Sequence, residues 1–137
     1  MSDAAQHDGH RARVLIVDDD PEILTFLSTL LDLEGIEPLV ATSAAAALRL
    51  LEQGRKAVLP DLMLLDIAMP DRDGLDLCRE LKKDAGLRRI PVFVVSARPG
   101  KDVVDRAIAA GAEQFIRKPF ENHELIERIR DRVRPQP

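Results

Sequence analysis

The chain has 137 residues, 45% of them hydrophobic and 32% charged, with a net charge of −4; that is the size and make-up of one soluble globular domain. The acidic balance argues against duplex binding, which depends on Lys and Arg neutralising phosphates, and with Phe26, Phe93, Phe115 and Phe120 as the only aromatics there is no Trp or Tyr for stacking bases. Cys78 alone excludes an internal disulfide, no apolar run approaches the ~20 residues that span a bilayer, and MSDAAQHDGHRAR lacks the apolar stretch of a signal peptide, so a cytoplasmic protein with no membrane contact is expected.

Residues 1–12 are small and polar without periodicity and read as a disordered tail, in which His7 and His10 are solvated rather than metal-binding. A rhythm then begins: five apolar runs alternate with five helical patterns. RVLIV (13–17) is the first strand. Asp20-Pro21-Glu22 has the form of a helix start, with an N-cap, a proline at the first helical position and an acid in the first turn. Ile23, Phe26, Leu27, Leu30 and Leu31 follow at helical spacing, and Gly35 marks the stop.

IEPLVA is the second strand, and its Pro38 suits a sheet edge, where a missing donor matters least. Ser43 caps a second helix with Ala44, Ala47, Leu48 and Leu51 on one face, ending at Gly54. DLMLLD is the third strand; its helix carries Leu75, Cys78 and Leu81 and is expected to end near Gly86, with Cys78 as a small buried hydrophobe. IPVFVVS (90–96) is the fourth strand, followed by a helix from about Lys101 to Ala110 that Gly111 closes. QFIR is the fifth, followed by Lys118-Pro119 and a helix with Leu125, Ile126, Ile129 and Val133 inward and a charged, solvated outer face that includes His123.

Runs this apolar are buried on both faces, and strands alternating with helices pair in parallel. The predicted fold is α/β: a doubly wound five-stranded parallel sheet of order 2-1-3-4-5, flavodoxin-like (βα)5, over residues 13–134, with 135–137 as a C-terminal tail.

The polar residues that end these strands fall together. Asp18, Asp19 and Asp20 follow the first, Asp66 the third, Ser96 the fourth and Lys118 the fifth. In a parallel sheet all carboxyl ends share one rim, and ligands of such sheets bind in a crevice there where the strand order reverses. An aspartate at a strand end is by itself an ordinary turn residue. Several carboxylates across one crevice raise one another's pKa, and a hard divalent cation resolves the conflict; Mg²⁺ binds through one or two carboxylates and keeps positions for phosphate oxygens. Lys118 adds a charge and Ser96 a donor suited to phosphate, which makes a phosphoryl-transfer set.

VLIVDDD, LMLLDIAMPDRDG, VFVVSA and GAEQFIRKPF, in that order and at these spacings, resemble the receiver domain of two-component response regulators over about residues 13–134. The resemblance implies that Asp66 is the phosphoacceptor, that Asp19, Asp66 and the backbone carbonyl of Ala68 ligate Mg²⁺ directly, and that Asp18 does so through water. It implies that Ser96 follows the phosphoryl group, that Lys118 pairs with it beside a cis bond to Pro119, that Gly74 closes the acceptor loop and that Phe115 is the switch aromatic. Partners so implied are a histidine kinase or histidine phosphotransfer protein and a downstream protein target. No nucleic-acid contact is expected of this domain, and a phosphorylation-dependent dimer is among the expected outcomes. The expected response is a shift of the surface formed by the fourth helix, fifth strand and fifth helix.

Departures are Ser96 for the commoner threonine and Phe115 for tyrosine; Ala68 and Arg98 stand where the phosphoryl lifetime is tuned. Alanine cannot orient an attacking water, so slow autodephosphorylation is expected and no turnover of a separate substrate. Two other readings compete. One is a receiver-shaped interaction module that needs no phosphate. The other is a haloacid-dehalogenase-like phosphatase with Asp18 as nucleophile and Asp20 as general acid, disfavoured because Glu22 replaces the usual Thr or Val and Asp66 would have no role.

Overall fold

The computed structural model describes residues 11–69, 71–97 and 100–133. The expectations for residues 1–10, Arg98 and 135–137 lie outside the described residues. Five strands, β1 (Arg13–Val17), β2 (Glu37–Ala41), β3 (Leu62–Leu65), β4 (Val92–Ser96) and β5 (Gln114–Arg117), alternate with five helices. These are α1 (Pro21–Leu33), α2 (Ala44–Gly54), α3 (Gly74–Lys83), α4 (Lys101–Ala109) and α5 (Asn122–Val133). All strand pairs are parallel, as the alternation predicted, and the order is β2-β1-β3-β4-β5, the common doubly wound order that was expected.

Local signals in the sequence decide the helix ends. The Asp20 side chain accepts from the Glu22 N–H and Pro21 opens α1; Ser43 caps α2 by accepting from Ala46 N. Gly35 supplies the left-handed turn after α1 with φ +80°. Pro38 lies in β2, an edge strand, as its missing donor requires.

The sheet divides the interior in two. Leu15, Val17, Met63, Leu65, Val92 and Val94 pack under α2, α3 and α4, whereas Val14, Ile16, Leu62, Leu64, Phe93 and Val95 pack under α1 and α5. β3 is central, and all four of its side chains are buried. Burial of one such side chain is worth about 1.5–3 kcal/mol, so Asp66, the residue after β3, follows a strand held on both faces.

Two expectations are corrected. α3 ends at Lys83 rather than near Gly86, because the Asp84 carboxylate is taken by the Gly86 N–H and by Arg55 just past the end of α2, which holds Asp84 in an extended conformation. Phe26, expected on the inward stripe of α1, is 46% exposed; Leu24, Leu27 and Leu31 form the buried line.

Candidate functional site at the carboxyl rim of the sheet

β1 and β3 are neighbours, and β2 lies beyond β1 while β4 lies beyond β3, so the order reverses between them. The Asp18 N–H bonds the Ala41 carbonyl at the end of β2, and the Asp66 N–H bonds Val17 at the end of β1. These backbone bonds fix both aspartates to the rim before any side chain is considered. Carboxylate oxygens of Asp18, Asp19 and Asp66 lie within 4.8 Å of one another. Asp18 is buried, Asp66 is half-buried and Asp19 is exposed, which grades the cluster from a dry wall to open solvent.

Lys118 reaches back from the end of β5. Its Nζ stands 3.1 Å from Asp18 Oδ2 and 3.4 Å from Asp66 Oδ2. The Lys118 N–H donates to the Ser96 carbonyl at 2.9 Å, which ties the ends of β4 and β5, and the Lys118-Pro119 peptide is cis. Asp66 Oδ1 accepts from the Ala68 N–H at 3.0 Å and Asp18 Oδ1 from the Asp20 N–H at 2.9 Å. Each acceptor carboxylate thus has one oxygen held by main chain and the other facing the lysine.

Burial is the main influence on Asp66 and pushes its carboxyl above the ordinary value; Asp18 pushes the same way, while the Ala68 N–H and Lys118 resist. Burial alone would lower Lys118, but hydrogen bonding to Asp18 and the charges of Asp66 and Asp18 outweigh it and raise the ammonium. Burial thus opposes the charged form of Asp66 even with Lys118 beside it. An all-oxygen set of three carboxylates on one rim fits a hard divalent cation such as Mg²⁺.

Ser96 is buried on the same rim, at the end of β4 next to β3. Phe115 lies partway along β5, half-buried against the core under α3 and α4, with the Arg117 guanidinium 5.8 Å from its ring centroid. Ala68 is exposed in the loop after β3. Asp20 Oδ1 caps α1 by accepting from the Glu22 N–H.

A Cβ built on Gly74 would lie 2.6 Å from Ile67 Cα and 2.9 Å from the Asp66 carbonyl oxygen. Only glycine allows α3 to start this close to the main chain of Asp66 and Ile67. Beside the rim, Ile23, Phe26, Ala97, Pro119 and Phe120 line an apolar groove of about 420 Å³ that runs up to Lys118.

The family model for the response regulator receiver domain matches residues 14–130. The chain belongs to that family. The receiver is 35% identical over 127 residues to the DNA-binding response regulator MtrA of Mycolicibacterium smegmatis, covering 93% of this chain and 53% of that protein. It is 41% identical over 116 residues to the heme response regulator HssR of Staphylococcus aureus, covering 85% and 49%. The chain thus spans about half the length of these curated relatives. Among solved structures, a CheY-like receiver domain protein from Methanospirillum hungatei aligns with a TM-score of 0.79 at 30% identity, covering 90% of this chain and 94% of that one. The receiver domain of the Francisella response regulator 1452 aligns with a TM-score of 0.79 at 29% identity, covering 90% and 97%. The receiver is a component of two-component, phosphorylation-dependent signalling, and no helix among its described residues is long and apolar enough to cross a membrane.

Strand counting placed Asp18, Asp19, Asp66, Ser96 and Lys118 on this rim, whereas Ala68, Gly74 and Phe115 came from the family resemblance. Both missed Asp71, which lies five residues past Asp66 and whose carboxylate accepts from Ala44 and Ala45 at the start of α2.

Proposed function

We propose that this receiver takes a phosphoryl group from a phosphohistidine onto Asp66. The observation that carries the reading is Lys118 placed between Asp18 and Asp66 on the rim where Asp19 completes the acidic cluster. Asp19, Asp66 and the Ala68 carbonyl would hold Mg²⁺, with Asp18 reaching it through water; when bound, the ion would neutralise phosphoryl oxygens during transfer.

An oxygen of the Asp66 carboxylate attacks phosphorus, the N–P bond of the donor breaks, and the imidazole leaves and takes up a proton. Lys118 balances charge on the phosphoryl oxygens, and the Ser96 hydroxyl donates to one of them. Phe115 then moves into space vacated by Ser96, shifting the α4-β5-α5 surface as a change of population between two states. Ala68 carries no group that could orient a water, so hydrolysis of the aspartyl-phosphate is slow.

The donor is a histidine kinase or a histidine phosphotransfer protein. Its imidazole must approach Asp66 closely, so it must rest on the surface around the rim, and the apolar groove of Ile23, Phe26, Pro119 and Phe120 is suited to that contact. The output passes to a downstream protein through the shifted surface, in the cytoplasm, with no nucleic acid held by this domain.

Labelling with acetyl phosphate and Mg²⁺, followed on a phosphate-affinity gel, tests the reading. Wild type and Asp18→Asn should take label, the latter more slowly, and Asp66→Asn should take none. Label retained in Asp66→Asn but lost only in Asp18→Asn would sink it in favour of the phosphatase chemistry. Amide shifts that ignore both Mg²⁺ and a phosphoryl mimic would favour the phosphate-independent module.

A further inference from the structure

The loop from Ile67 to Asp73 carries the main chain that faces the acceptor. Its base is fixed: the Gly74 N–H bonds the Ile67 carbonyl at 3.0 Å, Ala68 pairs with Asp73 in an antiparallel bridge, and Asp73 caps α3 through the Leu75 N–H. Towards its tip, Arg72 pairs with Glu80 of α3 at 3.0 Å. On the other side Asp71 reaches across to α2. Its Oδ1 accepts from the Ala44 N–H at 3.2 Å and its Oδ2 from the Ala45 N–H at 3.0 Å.

A helix start leaves its first N–H groups without intrahelical partners, and a local N-cap satisfies one or two of them. Here Ser43 takes the Ala46 N–H and leaves Ala44 and Ala45 to a residue more than 25 positions downstream. The contact is a charged carboxylate on two adjacent backbone donors at the positive end of a helix, one of the stronger forms of hydrogen bond. The Ala45 N–H foremost, and the Ala44 N–H with it, hold the Asp71 carboxyl below the usual carboxylate range.

α2 is a firm anchor. Ala44 and Ala47 are fully buried, and their small side chains let the helix lie close on the sheet. The circuit then closes around the crevice: Asp18 bonds Ala41 at the end of β2, α2 begins three residues later, Asp71 clamps that helix start, and the same loop returns through Ala68 to the Asp66 carboxylate. A loop attached only at its base and to α3 could swing at its tip. With Asp71 engaged, both walls of the crevice are referred to the same helix end.

We propose that Asp71 is a positioning residue for phosphorylation of Asp66: by clamping the β3–α3 loop to the start of α2, it sets the Ala68 main chain beside the acceptor. This rests on the reading of Asp66 as acceptor. Asp71 touches no reacting atom in this scheme. It acts through Ala68.

The experiment compares wild type, Asp71→Ala, Asp71→Asn and Ser43→Ala. Ser43→Ala removes a cap from the same helix without touching the loop, so it reports what loss of capping does by itself. Three quantities are measured: the Mg²⁺ dissociation constant from amide shifts, the rate of acetyl phosphate labelling at saturating Mg²⁺, and the urea midpoint. Asp71→Ala should weaken Mg²⁺ binding and slow labelling, each by about tenfold, the lower end for groups that orient a metal ligand. Asp71→Asn, which keeps an acceptor oxygen, should recover part of both. Ser43→Ala should lower the urea midpoint while leaving both site properties near wild type.

Equal site effects in Asp71→Ala and Ser43→Ala would overturn the proposal, because capping alone would then account for them. So would wild-type affinity and labelling in Asp71→Ala. A wild-type chain that takes no label overturns the acceptor reading, and this one with it.

Discussion

Gly74→Ala is the substitution whose cost the geometry states most directly. The new methyl would sit 2.6 Å from Ile67 Cα, about 0.8 Å short of the 3.4 Å at which ordinary contact begins, and 2.9 Å from the Asp66 carbonyl oxygen. Both neighbours are backbone, so no side chain can rotate away. Overpacking of this kind costs about 1–3 kcal/mol, and the lower unfolded-state entropy of alanine returns about 0.4–1 kcal/mol. At the middle of both ranges the net is about 1.3 kcal/mol, which for a domain of this size lowers the melting temperature by about 4–5 °C. The loop after Asp66 must absorb the displacement. A shift near 1 Å at a reacting geometry can cost about a hundredfold in rate, so acetyl phosphate labelling of Asp66 should fall at least tenfold, on the order of that limit. Gly54→Ala is the comparison: its methyl meets the movable Leu59 Cδ2 at 3.1 Å, and both labelling and melting should stay close to wild type. The reasoning is refuted if Gly74→Ala melts and labels like wild type, since the backbone approach would then be soft.

Two further outcomes concern charge and the switch. In the Mg²⁺-free protein burial raises the folded-state pKa of Asp66, so the folded chain holds that proton more tightly than the unfolded one and stability falls as pH rises through the window above the ordinary aspartate value. Asp66→Asn removes this penalty and should have the higher urea midpoint at neutral pH without Mg²⁺, the margin closing as pH drops below the ordinary aspartate range; an unchanged midpoint at pH 7 would contradict it. Arg117→Ala removes the cation stacked on Phe115, a contact worth about 0.5–1 kcal/mol at exposed sites. If that contact holds the ring in its half-buried position, a phosphoryl mimic should shift the β5 amides at about two- to fivefold lower concentration, and an unchanged titration midpoint would exclude it.

The fold was legible because its signals are local. Alternating apolar runs fix strand identity, Asp20, Pro21 and Ser43 announce helix starts, and parallel pairing then brings every strand end to one rim. Asp18, Asp66, Ser96 and Lys118 could therefore be placed together by counting strands. What the sequence hid depends on partners chosen in space. Asp84 reads as an ordinary helical acid until Arg55 is seen beside it, and this pairing shortens α3. Phe26 fits the apolar period of α1, yet at the rim end of that helix the surface turns away from the sheet towards Phe120 and Pro119. Asp71 resembles any acid in an acidic turn. Its role appears only once the start of α2 is placed against it.

The division of the interior by the sheet has a consequence for what can sense this molecule. β5 is an edge strand, and α4 and α5 flank it from opposite layers. A partner that grips this edge touches both layers at once, as the jaws of a caliper touch two sides of a plate. It would register a slide of α4 relative to α5 even if neither helix changed shape. A partner resting on α1 and α5 alone holds one jaw, and the same motion would pass it unread.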